Sequence, residues 1–184
     1  MQQVKGSVLR TRLTFAEEHG GKDAVARVLA ELTPDERQVL QTLLTMKWYP
    51  FELGKRLDDA IVRVLGGGKR EFFEKLGEAS AEKNLTTLHQ AFLVAGDPHA
   101  FLAKAPQIYA LYYETGRREY AKTGEKEAVL TTHDAETFSA PDCLTVVGWH
   151  RRALEMCGAR QVRVVEVECR ARGGKACRYR LSWD

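Results

Sequence analysis

Cys143, Cys157, Cys169 and Cys177 are the four cysteines of a 184-residue chain, and all of them fall in its last quarter. In a reducing compartment such thiols are not expected to form a disulfide framework, so metal binding, catalysis or plain burial are the readings left. Cys169 ends the most β-prone stretch of the sequence, QVRVVEVECR, and Cys177 opens the next strand beyond a Gly173-Gly174 turn. A hairpin holds directly opposed residues ~5 Å apart, so this pair makes half of a tetrahedral zinc site. Cys143, on the first turns of the preceding helix, supplies a third sulfur, and a carboxylate completes a set that zinc accepts. Glu166 stands three residues before Cys169, and strand alternation brings the two together only if a bulge or strand end intervenes. The bland alternative is three buried thiols that merely pack.

Cys157 is excluded from that set by distance. It lies 14 residues from Cys143 on one helix, or ~21 Å along the axis, and reads as a small buried apolar residue. His150 is seven residues from each of these cysteines, ~10.5 Å of rise, so no Cys–His nucleophilic pair exists within the helix. His19, His89, His99 and His133 are scattered. Gly66-Gly67-Gly68-Lys69 precedes a helix but lacks the Gly-x-x-x-x-Gly-Lys-Ser/Thr arrangement, and reads as a helix stop. Trp48, Tyr49, Phe51, Tyr109, Tyr112, Tyr113 and Trp149 are core candidates, a few of which could line a ligand cavity. The tail carries Arg160, Arg163, Arg170, Arg172, Lys175, Arg178 and Arg180, which read as a solvated sheet face.

The elements that must position these residues are mainly helical up to residue 115. Val4 to Leu13 reads as a strand running into a helix, stopped at Gly20-Gly21. Thr33-Pro34-Asp35-Glu36 is a capping box with a first-turn proline. Trp48-Tyr49-Pro50 breaks the pattern before a helix bearing Leu53, Leu57, Ala60, Ile61, Val64 and Leu65. Phe72, Phe73 and Leu76 mark another helix, and Leu85, Leu88, Phe92 and Leu93 the next. Asp97-Pro98 and Pro106 open two more. From Gly116 the chain reads as hairpin, helix, hairpin: strands at Arg117–Lys122 and Glu127–Thr132, a helix from Ser139-Ala140-Pro141 to Gly158, then the cysteine-bearing strands. The expectation is a single α+β domain over 1–184, with a helical part at 1–115 and the hairpin–helix–hairpin part at 116–184.

Composition agrees with a globular chain at 44% hydrophobic, 29% charged and 9% aromatic residues. With 28 Lys and Arg against 25 Asp and Glu, the net charge of +3 does not call for nucleic acid as a partner. No apolar run reaches the about 18 residues of a membrane span, and MQQVKGSVLRTRL has no secretory leader pattern. The cytoplasm is the expected location.

The tail CLTVVGWHRRALEMCGARQVRVVEVECRARGGKACRYRLSW resembles the C-terminal half of a V4R (4-vinyl reductase) domain. That family shares its fold with haem–nitric-oxide-binding sensors and with Golgi transport-tether subunits. In V4R sensors of aromatic-responsive activators, a structural zinc is held by a helix Cys, a Glu and a Cys three apart, and a Cys eight further on. Cys143, Glu166, Cys169 and Cys177 match that spacing, which favours Glu166 over Glu168. KGSVL, WYP, LYYETG, APDC and the final Trp183 also make the whole chain resemble an uncharacterised myxobacterial family of similar length.

The resemblance implies a V4R-like fold, a structural zinc, a hydrophobic or aromatic small-molecule ligand and a homodimer or signalling partner. The alternative is a protein-interaction scaffold without ligand, as in the transport tethers. No Tyr-x-Ser-x-Arg string occurs, so haem is not expected. With no paired acid and base, neither is an enzyme.

Overall fold

The computed structural model describes residues 2–87 and 89–184. Its first element, strand β1 (Gln3–Lys5), runs into helix α1 (Gly6–Ala30). The expected stop at Gly20-Gly21 is a kink: Gly21 has φ 70° and ψ −176° inside an otherwise continuous helix. Helix α2 (Pro34–Gln41) starts on the capping box, with Thr33 Oγ1 accepting from the Glu36 amide and the Glu36 carboxylate accepting from the Thr33 amide. Trp48–Pro50 forms strand β2, antiparallel to β1 with Val4 opposite Tyr49. This pairing went unread in the sequence because each strand is only three residues long.

Helix α3 (Phe51–Val64) follows, then helix α4 (Phe72–Leu85). Here the sequence expectation needs correction, for Leu85 continues α4 instead of opening the next helix. Gly77 and Ala81 carry the buried face between Leu76 and Leu85, and small residues hide the apolar repeat. Phe92 belongs to a single 3₁₀ turn, Gln90–Phe92, and Leu88 lies outside the described residues. Helices α5 (Pro98–Leu102) and α6 (Ala105–Ala110) complete the helical run, α5 capped by Asp97 accepting from the Ala100 amide.

Strands β3 (Arg117–Gly124), β4 (Glu127–His133), β5 (Arg163–Glu168) and β6 (Cys177–Ser182) form an antiparallel sheet of order β3-β4-β6-β5. Between the hairpins runs helix α7 (Ala140–Met156), capped by Ser139 Oγ accepting from the Asp142 amide, with Pro141 in its first turn. The architecture is thus α+β. No helix among the described residues is long and apolar enough to cross a membrane.

The apolar interior forms two clusters. One gathers Leu9, Phe15, Leu40, Leu57, Ile61, Phe73 and Leu76 from the N-terminal helices. The other gathers Leu85, Phe101, Leu102, Leu130, Val147, Leu154, Tyr179 and Leu181 around α7 and the sheet. Helix α4 contributes to both, and Leu144 of α7 packs against both. The helices α4 and α7 touch at backbone distance. A Cβ at Gly148 would lie 1.8 Å from the Glu74 carbonyl oxygen, and one at Gly77 would lie 2.2 Å from that of Thr145. Only glycine lets the two helices approach so closely.

Candidate metal centre and adjoining cleft

Helix α7 brings Cys143 over the C-terminal hairpin, and the hairpin turn brings Cys169 back beside Cys177. The sulfurs of these three residues all lie within 4.8 Å of one another, and each residue is buried. Cys143 Sγ and Cys177 Sγ are 3.7 Å apart. Two thiolates on one tetrahedral zinc, each at about 2.3 Å, would stand about 3.8 Å apart. The Arg170 amide donates to Cys177 Sγ at 3.4 Å, an arrangement that favours a thiolate.

Glu166 is turned to the same face of the hairpin because the register of β5 against β6 shifts between Glu166 and Glu168, though the group within 4.8 Å is made by the three sulfurs without its carboxylate. Val167 is the extra residue of this bulge, so Glu166 and Cys169 share the inner face despite their odd spacing. Glu166 Oε2 is paired with Arg172 Nη2 at 2.8 Å, while Oε1 is buried with no hydrogen-bond partner. Glu168 is turned outward and fully engaged. It accepts from the Lys175 and Ala176 amides at 2.9 and 3.1 Å and pairs with Arg178 at 3.2 Å.

Charge within this cluster is shared. The Cys143 thiol donates to its neighbours, which raises its own pKa and lowers that of Cys169 to about 6 and Cys177 to about 7. Burial, reinforced by Cys169, pushes the Glu166 carboxyl up to about 7. A divalent cation would replace the shared proton and hold all four groups ionised.

A narrow cleft borders the sulfurs, with room for a water or two, about 20 Å³. Tyr109, Tyr113, Phe138 and Tyr179 are its aromatic walls, and Arg118, Asp142, Cys143 and Cys177 are among its polar ones. Arg118 donates through Nε to Thr132 Oγ1 and lies over the Tyr109 ring, 4.9 Å from its centre. Thr137 Oγ1 is buried there without a partner. Two of the aromatics singled out in the sequence, Tyr109 and Tyr113, line this cleft, whereas Phe51 and Trp149 belong to the two cores and Trp48 is exposed.

One buried cluster was missed in the sequence. Arg12 of α1 is held by Asp58 of α3 and by Asp142 of α7, and the Tyr113 hydroxyl bonds both Asp142 oxygens at 3.0 Å. Its members are 46 and 130 residues apart, and no local pattern marks an inward-facing arginine. The network ties the cleft wall to the N-terminal helices.

Cys157 sits at the far end of α7, buried and outside the sulfur cluster. His150 is buried in α7 with its Nδ1 2.9 Å from the Val146 carbonyl oxygen, and burial together with Arg118 lowers its pKa to about 3. It is a neutral core imidazole.

Solved structures with this fold include H-NOX proteins. The Fe(II) unliganded H-NOX protein from K. algicida superposes with a TM-score of 0.72 at 11% identity, covering 98% of this chain and 96% of that one. A point mutant of T. tengcongensis H-NOX gives 0.72 at 14%, covering 98% and 97%. A third structure, from work on modulating haem redox potential through protein-induced porphyrin distortion, gives 0.65 at 12%, covering 97% and 99%. The chain therefore has an H-NOX-like fold. It belongs to the family described as protein of unknown function (DUF2378), whose family model matches residues 8–184. No curated protein matches it.

These neighbours overturn the expectation that haem has no place here, since one of the structures sharing the fold comes from work on haem redox potential. In this structure Phe101 and Trp149 stack at 6.0 Å within the C-terminal core that also holds Tyr179. Both ring nitrogens of His99 are engaged, by the Tyr120 hydroxyl and the Glu125 carbonyl at 2.7 Å each.

Proposed function

We propose that this chain is a non-enzymatic small-molecule sensing domain whose C-terminal part is clamped by one zinc ion on Cys143, Glu166, Cys169 and Cys177. The observation that carries the zinc reading is the convergence of three buried sulfurs on elements that no disulfide joins, with the buried, unpartnered Oε1 of Glu166 on the same face of the hairpin. Three thiolates and a carboxylate suit zinc, and four protein ligands leave no open position for catalysis. The ion would tie α7 to both strands of the last hairpin, adding cohesion that a small subdomain core does not supply alone.

The sensing role rests on the H-NOX-like fold and on the cleft beside the sulfurs. Its aromatic walls favour an apolar or aromatic molecule. As the cleft has room for only a water or two, such a ligand must part its walls. Those walls belong to α6, the sheet, α7 and the segments that follow α6 and precede α7, and Asp142 and Tyr113 among them connect to Arg12. Binding would therefore be reported as a shift of the helices, read by a second copy of the chain or another protein.

Elemental analysis of protein purified without added metal tests the clamp, and near one zinc per chain is expected. Native mass spectrometry on the same sample tests the sensor, with an added mass of a small apolar molecule expected. A metal-free fold of undiminished stability would overturn the first, and a cleft that takes up no aromatic compound would overturn the second.

A further inference from the structure

Glu166 is a buried carboxylate whose two oxygens are employed differently. Oε2 accepts from Arg172, and Oε1 has no partner although its surroundings are closed to water. We infer that Arg172 is the positioning residue of the metal centre, holding Oε2 of Glu166 so that Oε1 is presented to the ion. This rests on the zinc reading above and goes beyond the four ligands to what aims one of them.

The turn between β5 and β6 is built to bring Arg172 there. Residues 170–172 make a single 3₁₀ turn directly after Cys169, and the Arg172 amide donates to the Cys169 carbonyl at 3.0 Å. Gly173 then takes φ 86°, and a Cβ on Gly174 would lie 2.9 Å from the Cys169 carbonyl oxygen. The same few residues thus fix two ligands and the guanidinium. Other cations nearby are committed elsewhere: Arg170 lies over the Phe138 ring at 5.1 Å, and Arg178 pairs with Glu168.

Charge gives the arrangement its chemical sense. Three thiolates and one carboxylate around a divalent cation carry a net charge of −2, which a buried site must offset. Arg172 brings a permanent positive charge to the one oxygen that the ion does not use, and its Nη2 contact at 2.8 Å holds that oxygen in place. Without Arg172 the buried Glu166 loses the partner of Oε2, and nothing fixes which oxygen meets the ion. The Arg172 side chain is 46% exposed while that of Glu166 is 5% exposed, so the holder can be changed from the surface with little disturbance of the core.

The experiment is competition between the protein and a chromophoric chelator for zinc, together with visible absorption of the cobalt(II)-loaded protein. Arg172→Met is expected to weaken zinc binding about 10- to 100-fold, the range for a group that orients a metal ligand. Arg172→Lys should recover part of that loss. The cobalt spectrum of R172M should move toward that of Glu166→Gln, and the double variant should bind no more weakly than E166Q alone, because Arg172 acts through Glu166.

A surface ion pair of merely structural value would shift melting temperatures and leave the cobalt spectrum as it was. Should R172M bind zinc like the wild type with an unchanged spectrum, or should the losses simply add in the double variant, the inference is overturned while the zinc site stands. A wild-type chain that takes up neither zinc nor cobalt overturns both.

Discussion

Cys143 of α7 and Cys177 of β6 hold their sulfurs 3.7 Å apart across 34 residues of chain, and no disulfide joins the helix to the sheet there. Loss of either should therefore cost far more than loss of the equally buried Cys157. Cys177→Ser is expected to lower stability by about 3 kcal/mol, a melting temperature lower by about 10 °C for a chain of this size. It should also abolish stoichiometric zinc. Cys157→Ala should cost about 1 kcal/mol of lost burial and leave zinc in place. Thermal melts with parallel metal analysis decide this, and equal small effects would reduce the cysteines to packing.

The crossing of α4 and α7 gives a sterically sharp expectation. A methyl at Gly148 has nowhere to go, since the atom it meets 1.8 Å away is the Glu74 backbone carbonyl. Gly148→Ala should cost about 3 kcal/mol or more, at the upper end of overpacking penalties. At Gly124 the added carbon would meet only the flexible Glu127 side chain, at 3.3 Å, and a substitution there should cost well under half as much. Urea unfolding of the two alanine variants compares them directly.

What could be read in the sequence was what depends on neighbours in the chain. The caps at Thr33, Asp97 and Ser139 are local hydrogen-bond chemistry, and each forms. The hairpins follow from β-prone runs and glycine turns. The hairpin placed Cys169 and Cys177 together on local grounds, whereas Cys143, 34 residues from Cys177, joined them through the family spacing. The bulge at Val167 was recognisable only as a requirement, since nothing in VVEVEC states which residue is extra. Hidden altogether were the features made by distant residues: the Arg12 network, the glycine contact of α4 with α7, and the pairing of β1 with β2. The kinship of fold with H-NOX proteins lies at 11–14% identity, and misplacing haem followed from treating one absent motif as decisive.

Asp58 makes the Arg12 network sensitive to pH. Burial, opposed by Arg12 and reinforced by Asp142, raises its pKa from 3.8 to about 7. A carboxyl with a raised native pKa binds its proton more tightly in the folded state, so its contribution is complete below pH 3.8 and is lost as pH rises toward 7. Asp58→Asn mimics the protonated form and leaves Arg12 paired with Asp142. Relative to the wild type, this variant should gain stability as pH rises from 4 to 7, by an amount on the order of a few kcal/mol. A difference that stays flat with pH would mean that Asp58 is ionised throughout.

His150 acts in the opposite sense. Burial, assisted by Arg118 and countered by the Val146 carbonyl, lowers its pKa from 6.5 to about 3. The folded state therefore keeps the ring neutral, whereas the unfolded chain protonates it as soon as pH falls below 6.5. Its contribution is complete above that value and drains away toward pH 3. His150→Gln keeps a donor for the Val146 carbonyl and removes the titration, so the variant should lose less stability on acidification than the wild type. Between pH 6.5 and 4.5 the gap should narrow in the variant's favour by about 2 kcal/mol. Since Asp58 and His150 have opposite slopes over this window, an Asp58→Asn, His150→Gln double variant should vary less with pH than either single variant. Chemical denaturation at several pH values, each variant compared with the wild type at the same pH, separates the two. Were His150→Gln to follow the wild-type acid limb unchanged, the imidazole would have to be charged in the native state, which its closed surroundings on α7 do not support.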